Sequence, residues 1–189
     1  MALCSLNKSL LRSNVCGYQL NSIVAIYLAN FSDVVLSGTT VEDCDGTGAT
    51  TNGQVVASVE LESGKKWAKI EPARNTGAYS DVLNVTDAGA KYRSHQVQFN
   101  FNAPVDCNTA DYVDALSLGK YVAVVTLADG SNIMLGRLAG LEATSANLGG
   151  EAGADAANGL EVVLEGNQAE SSLYVSETAM SQITSNVYE

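Results

Sequence analysis

Residues 96–102 alternate without a break. Gln96, Gln98, Asn100 and Asn102 fall on one side of an extended chain, and Val97, Phe99 and Phe101 fall on the other. Successive side chains of a strand point to opposite faces, so this period of two requires a strand with one buried face. The polar side carries no charge. It suits contact with a partner subunit or with bulk water, and alternation does not distinguish the two. Residues 79–102 read as a whole hairpin, with the DAGA stretch as its turn.

The rest of the chain repeats this texture. Residues 21–31 (NSIVAIYLANF) are β-branched and aromatic, the composition of a mostly buried strand. Residues 36–53 are rich in Gly, Thr and Asp and read as a long loop. In QVVASVELES, Val55, Ala57, Val59 and Leu61 are expected to point inward, with Val56, Ser58, Glu60 and Glu62 opposite. The SGKK turn then brings KWAKIE back as a hairpin partner. CNTADYVDALSLGK fits one short helix: Asn108 or Thr109 caps it, Asp111 lies in its first turn and Gly119 stops it. Tyr112, Val113 and Leu116 share one side of that helix, which is expected to pack on a sheet. KYVAVVTLA and SNIMLGRL, joined by Asp129-Gly130, form a second clear hairpin. LEATSANL and NGLEVVLEGNQAE add two strands around a Gly/Ala-rich loop, with Leu160, Val162 and Leu164 inward and Glu161 and Glu165 outward. Eight or nine strands and one helix give a mainly β chain, an antiparallel β-sandwich or barrel with one flanking helix.

Charge narrows the function. The 189 residues carry a net charge of −11 and are 46% hydrophobic, the balance of one globular domain that does not grip nucleic acid. Arg137 is the last basic residue, and the final 52 residues hold eight carboxylates. Such an acidic quarter serves either solubility or the repulsion of a polyanion. No stretch reaches the ~18 apolar residues of a membrane span, and the N-terminus lacks the build of a signal peptide, so a chain folded in a cytoplasm and free of membrane is expected. Cys4, Cys16, Cys44 and Cys107 are widely spaced, which argues against zinc and for reduced thiols, although Cys4 and Cys16 could pair outside a reducing cell. His95, the one histidine, lies in a predicted strand and reads as structural. The EDCDGTG run lacks the closing glutamate of a calcium loop. With no nucleophile–base, phosphate-cradling or metal pattern, neither an enzyme nor a cofactor is expected. A binding module or a structural assembly protein remains.

Three stretches carry a family resemblance: the leader and strand MALCSLNKSL…CGYQLNSIVAIYLANFSDV, the helix and hairpin YVDALSLGKYVAVVTLADGSNIMLGRLAGLE, and the end NGLEVVLEGNQAE. In order and texture, over roughly residues 1–170, the chain resembles the tail tube (major tail) proteins of long-tailed bacteriophages, closest to those of Bacteroidetes-type hosts. The resemblance implies a β-sandwich flanked by a helix, six copies per ring with neighbouring sheets joined into an inner barrel, and rings stacked into a tube. The implied organisation is an N-terminal arm at 1–20, a tail-tube domain at 21–170 with its loop at 36–53, and a C-terminal tail at 171–189. The implied partners are further copies of the chain and other tail proteins, in a virion tail assembled in the host cytoplasm, with viral DNA passing through unbound. A bore that passes DNA is better lined by carboxylates than by cations, which makes Glu60, Glu62, Glu142, Glu161 and Glu165 the candidate lumen-facing acids. A head-decoration or other virion surface protein is the nearest alternative. A carbohydrate-binding β-sandwich is another, weakened by the single tryptophan, Trp67.

Overall fold

Strand β7 (Lys120–Leu127) is apolar on both sides, and the fold is organised around it. Tyr121, Ala123 and Val125 enter one core, and Val122 and Val124 enter a second core on the opposite face. A strand buried on both faces needs a continuous apolar run instead of alternation, and YVAVV supplies it. β1 (Ile23–Asn30) has the same character and pairs antiparallel with β7 along most of its length.

The computed structural model describes residues 22–43, 54–73, 76–101, 107–150 and 158–188. The remaining strands are β2 (Thr40–Glu42), β3 (Val55–Ser58), β4 (Ala68–Ile70), β5 (Ala78–Val85), β6 (Lys91–Phe101), β8 (Asn132–Leu135), β9 (Leu141–Gly150), β10 (Asn158–Gln168) and β11 (Leu173–Val175). The helices are α1 (Cys107–Leu118) and α2 (Glu177–Ser185), and a short 3-10 turn spans Phe31–Asp33. The strands run in the order β2-β3-β11-β8-β7-β9-β10-β6-β5, with β1 on the other side of β7 and β4 beyond β1. β7 pairs with β9 only through Lys120 and Tyr121, and there the network folds over into two layers.

The first core lies between the layers. Ile26, Leu28, Tyr121, Val125 and Leu135 meet Val97, Phe99, Leu141, Leu160, Val162 and Leu164 there. Leu116 of α1 is buried in this core and Val113 packs against it, as their helical spacing implies. The fold is therefore mainly β, consistent with a β-sandwich or barrel flanked by a helix. The 79–102 hairpin forms as β5–β6, with Val97 and Phe99 buried, and the Asp129-Gly130 turn joins β7 to β8. Gly130 sits at φ +89, a left-handed backbone that favours glycine.

Five sequence expectations need correction. The chain end is not a tail: β11 inserts between β8 and β3, and α2 covers the second core with Ala179 and Ile183 fully buried. Its signals are short but specific. Leu173 and Val175 alternate inward, and Ser176 caps the helix by accepting the Ala179 N–H at 3.2 Å. The domain thus continues through 188, past the expected boundary at 170. β3 faces the other way from its expected register, for Val56 is fully buried while Val55 and Ala57 are half-buried. The KWAKIE segment pairs with β1 instead of β3, because Trp67 and Ile70 are drawn into the two cores on either side of β1. Within the expected loop at 36–53, Thr40–Glu42 form β2 against β3, and residues 44–53 lie outside the described residues, as does the arm at 1–20. Among the described residues, eleven strands and two α-helices replace the expected eight or nine strands and single helix.

The docking of α2 is testable. Ile183→Ala removes a fully buried side chain. It should lower unfolding free energy by about 2–5 kcal/mol in urea titrations. An unchanged midpoint would mean the segment is loose.

Candidate functional site: the amide and carboxylate face

The outer face of the layer β5-β6-β10-β9 can be read from its register. Glu161 lies opposite Asn100 and Asn147, Val163 opposite Gln98 and Ser145, and Glu165 opposite Gln96 and Glu142. Ser80 of β5 sits beside Gln96. The uncharged amide row of β6 therefore lies alongside the acids of β10, and no helix is seen to cover the two strands on this side among the described residues. The charged side chains of this face, among the described residues, are Glu142, Glu161, Glu165 and Lys120.

Each of these acids has a partner. Ser94 Oγ donates to Glu165 Oε1 at 2.8 Å, and Gln98 Nε2 donates to Glu161 Oε1 at 3.3 Å. Like charges directly across a ladder repel, and Glu142 faces Glu165; Lys120, 3.0 Å from Glu142 Oε1, offsets this pair. The face keeps two carboxylates held by neutral donors and one matched by an ammonium.

The five candidate acids divide. Glu142, Glu161 and Glu165 share this face. Glu60 and Glu62 do not: β3 ends at Ser58, and both are exposed on the segment beside the Phe31–Asp33 turn, where Val35 N–H donates to Glu60 O and Glu62 N–H to Asp33 O. The cation-free quarter is thus of mixed use. Glu170 forms a two-pronged ion pair with Arg137, and Glu177 lies in the first turn of α2.

Neither border of this layer has a further strand along it among the described residues, although α1 packs beside β9. β5 pairs with β6 alone, and β9 beyond its two-residue contact with β7 has no second strand partner among the described residues. The open edges are of equal length, residues 78–85 and 143–150. β5 carries neither Lys nor Pro, the usual guards of a free edge, and it exposes Val82, Leu83 and Val85 by more than half.

His95 is buried behind the face. Its Nδ1 accepts the Gly136 N–H at 3.3 Å, which places the proton of the neutral ring on Nε2, 3.6 Å from Asp81 Oδ1. Gly136 has φ +77, and a Cβ there would strike Leu141, so this donor is fixed in place. Among the described residues, no three His, Cys, Asp or Glu side chains are grouped to hold a metal ion. A pocket of about 220 Å³ between α1, β1 and β4, lined by Tyr112, Tyr121 and Tyr188, is smaller than the ~300 Å³ usual for a small-molecule site. Comparisons with protein-family models, curated proteins and solved structures find no match to this chain.

Burial holds the His95 pKa below the ordinary 6.5, against the pull of Asp81 and Glu170 and with the help of Arg93. The folded state thus favours the neutral ring. This contribution to stability is complete above pH ~6.5 and declines as pH falls through the lowered value. Urea midpoints should drop between about pH 7 and 5, and His95→Gln, which retains an acceptor, should flatten that drop. An identical drop in the variant would assign it to other groups.

Proposed function

We propose that this chain is the structural building block of a phage tail tube, a virion protein that joins edge to edge into hexameric rings and lines a conduit for DNA with its amide and carboxylate face. The observation that carries this reading is the pairing of that face with two open strand edges of equal length in the same layer. An edge without a strand partner is a template for another chain. Joining the β5 edge of one copy to the β9 edge of the next continues the layer, and closing the ring leaves no edge.

Geometry supports six copies over three. Four strands from each of six copies, spaced about 4.8 Å and tilted about 40°, close a barrel about 48 Å across at the backbone. Three copies close at about 24 Å, which inward side chains nearly fill. Only the larger barrel admits a duplex. Its inner wall then repeats Glu161 and Glu165 sixfold with neutral amides between them. Every base pair of DNA brings two phosphates, so a wall without free cations lets the duplex slide without many weak attachments.

Negative-stain microscopy and native mass spectrometry of the purified chain should show sixfold rings or tubes. A stable trimer, or monomers at high concentration, would exclude the ring and favour a head-decoration or surface role. Replacing both Glu161 and Glu165 with lysine should leave the monomer folded, since both side chains point away from the core. Tubes of this variant should retain DNA at low salt and release it as salt rises. Salt-independent behaviour equal to wild type would remove the repulsive-lining idea.

A further inference from the structure

β5 is the least anchored strand of its layer. None of its residues is buried, and of its inward side chains Leu83 and Val85 are more than half exposed. Apart from its ladder with β6, its best-held side chain among the described residues is Asp81. Asp81 is almost buried, with Oδ1 3.0 Å from Arg93 Nε and 3.6 Å from His95 Nε2, while Oδ2 accepts the Ser172 N–H at 2.8 Å. Ser172 immediately precedes β11, so the Asp81 carboxylate fastens the open edge to the segment that crosses into the other layer. Behind it, His95 is bound to Gly136, Arg137 grips Glu170, and the buried Gln168 bridges the Ala139 N–H and the Gly140 carbonyl at 2.9 Å each. A continuous polar band therefore backs the edge.

An inward-pointing charge on an edge strand ordinarily discourages pairing, because a partner would bury it unsatisfied. Here the Arg93 guanidinium, 3.0 Å from Oδ1, balances the charge and the Ser172 N–H donates to Oδ2, which lowers that obstacle while the strand is held, although Oδ1 itself accepts no hydrogen bond among the described residues. We propose that Asp81, held by the Arg93 ion pair and the Ser172 amide, is a positioning residue that keeps β5 in the extended geometry needed to receive the β9 edge of a second copy of this chain. The proposal rests on the ring reading above. It adds that competence for assembly is set inside each copy, before two copies meet. A clamp of this kind favours specific pairing, since a frayed edge pairs in many registers and a fixed one pairs in few.

The test uses the full chain carrying Asp81→Asn, and separately Arg93→Gln, whose arm is the most exposed of the clamp and whose loss is milder. Hydrogen exchange is measured at low concentration, where copies are separate, and assembly by sedimentation and microscopy. Loss of the Arg93 ion pair and of the charged acceptor for the Ser172 N–H should speed exchange at Ala78–Val85 on the order of tenfold to a hundredfold in Asp81→Asn, and less in Arg93→Gln. Amides of β1 and β7 should keep their protection, showing that the domain is still folded. Rings should be lost in Asp81→Asn and should need higher concentration in Arg93→Gln. Wild-type exchange in β5 of both variants overturns the clamp, and so does loosened β5 with normal rings. If Asp81→Asn unfolds globally, Arg93→Gln decides by the same two readings. A wild-type chain that forms no rings overturns the ring reading, and the positioning role falls with it even if β5 loosens.

Discussion

A strand buried on both faces is the constraint on which this structure depends. β7 must present apolar side chains to two cores at once, and it does so with Tyr121, Ala123 and Val125 on one side and Val122 and Val124 on the other. Both of its edges are used as well, by β1 along one side and by β8 and then β9 along the other. At about 25 cal/mol per Å² of apolar surface removed from water, this central strand and its neighbours supply the largest favourable share of folding. The outer layer can then be thinly held. β5 needs only its ladder and the largely shielded Asp81 carboxylate, because the stability of the domain resides elsewhere.

That division has a functional consequence. The layer β5-β6-β10-β9 contributes one face to the core and leaves the other polar, with Glu161 and Glu165 held by Gln98 and Ser94. Hydrogen bonds from neutral donors keep carboxylates oriented without cancelling their charge, whereas an ion pair cancels it. Lysine is used once, at Glu142, where two carboxylates would otherwise face each other across the ladder. The face is thus mildly negative and rich in amides, the composition on which the proposed tail-tube role rests.

Much of this was legible from local pattern. The β5–β6 and β7–β8 hairpins, the inward set Leu160, Val162 and Leu164, the α1 contacts of Val113 and Leu116 and the placement of His95 in a strand all follow from period, turn chemistry and spacing. The misreadings share one cause. Val56 turned inward because β3 is only four residues long and its register is set by β11, a strand from the far end of the chain. Trp67 carried β4 to β1 because a large apolar ring goes where a core has room, whatever the nearest turn suggests. Residues 171–188 looked like a loose end because a three-residue strand and a nine-residue helix carry too few apolar positions to stand out from a terminus.

By itself, then, the sequence determined the strand-rich class, the hairpins and which side of each long strand is wet, since these are periodic properties of a few consecutive residues. Tertiary structure alone decided which wet sides adjoin. It set Glu142 beside Glu165, moved Glu60 and Glu62 to another part of the surface, placed Asp81 against Arg93 and His95, and left β5 and most of β9 without a second strand partner among the described residues. Alternation states on which side of its own strand a residue lies. Which strand lies alongside is settled by long-range packing around β7, where the gain from filling both cores outweighs the preferences of short segments.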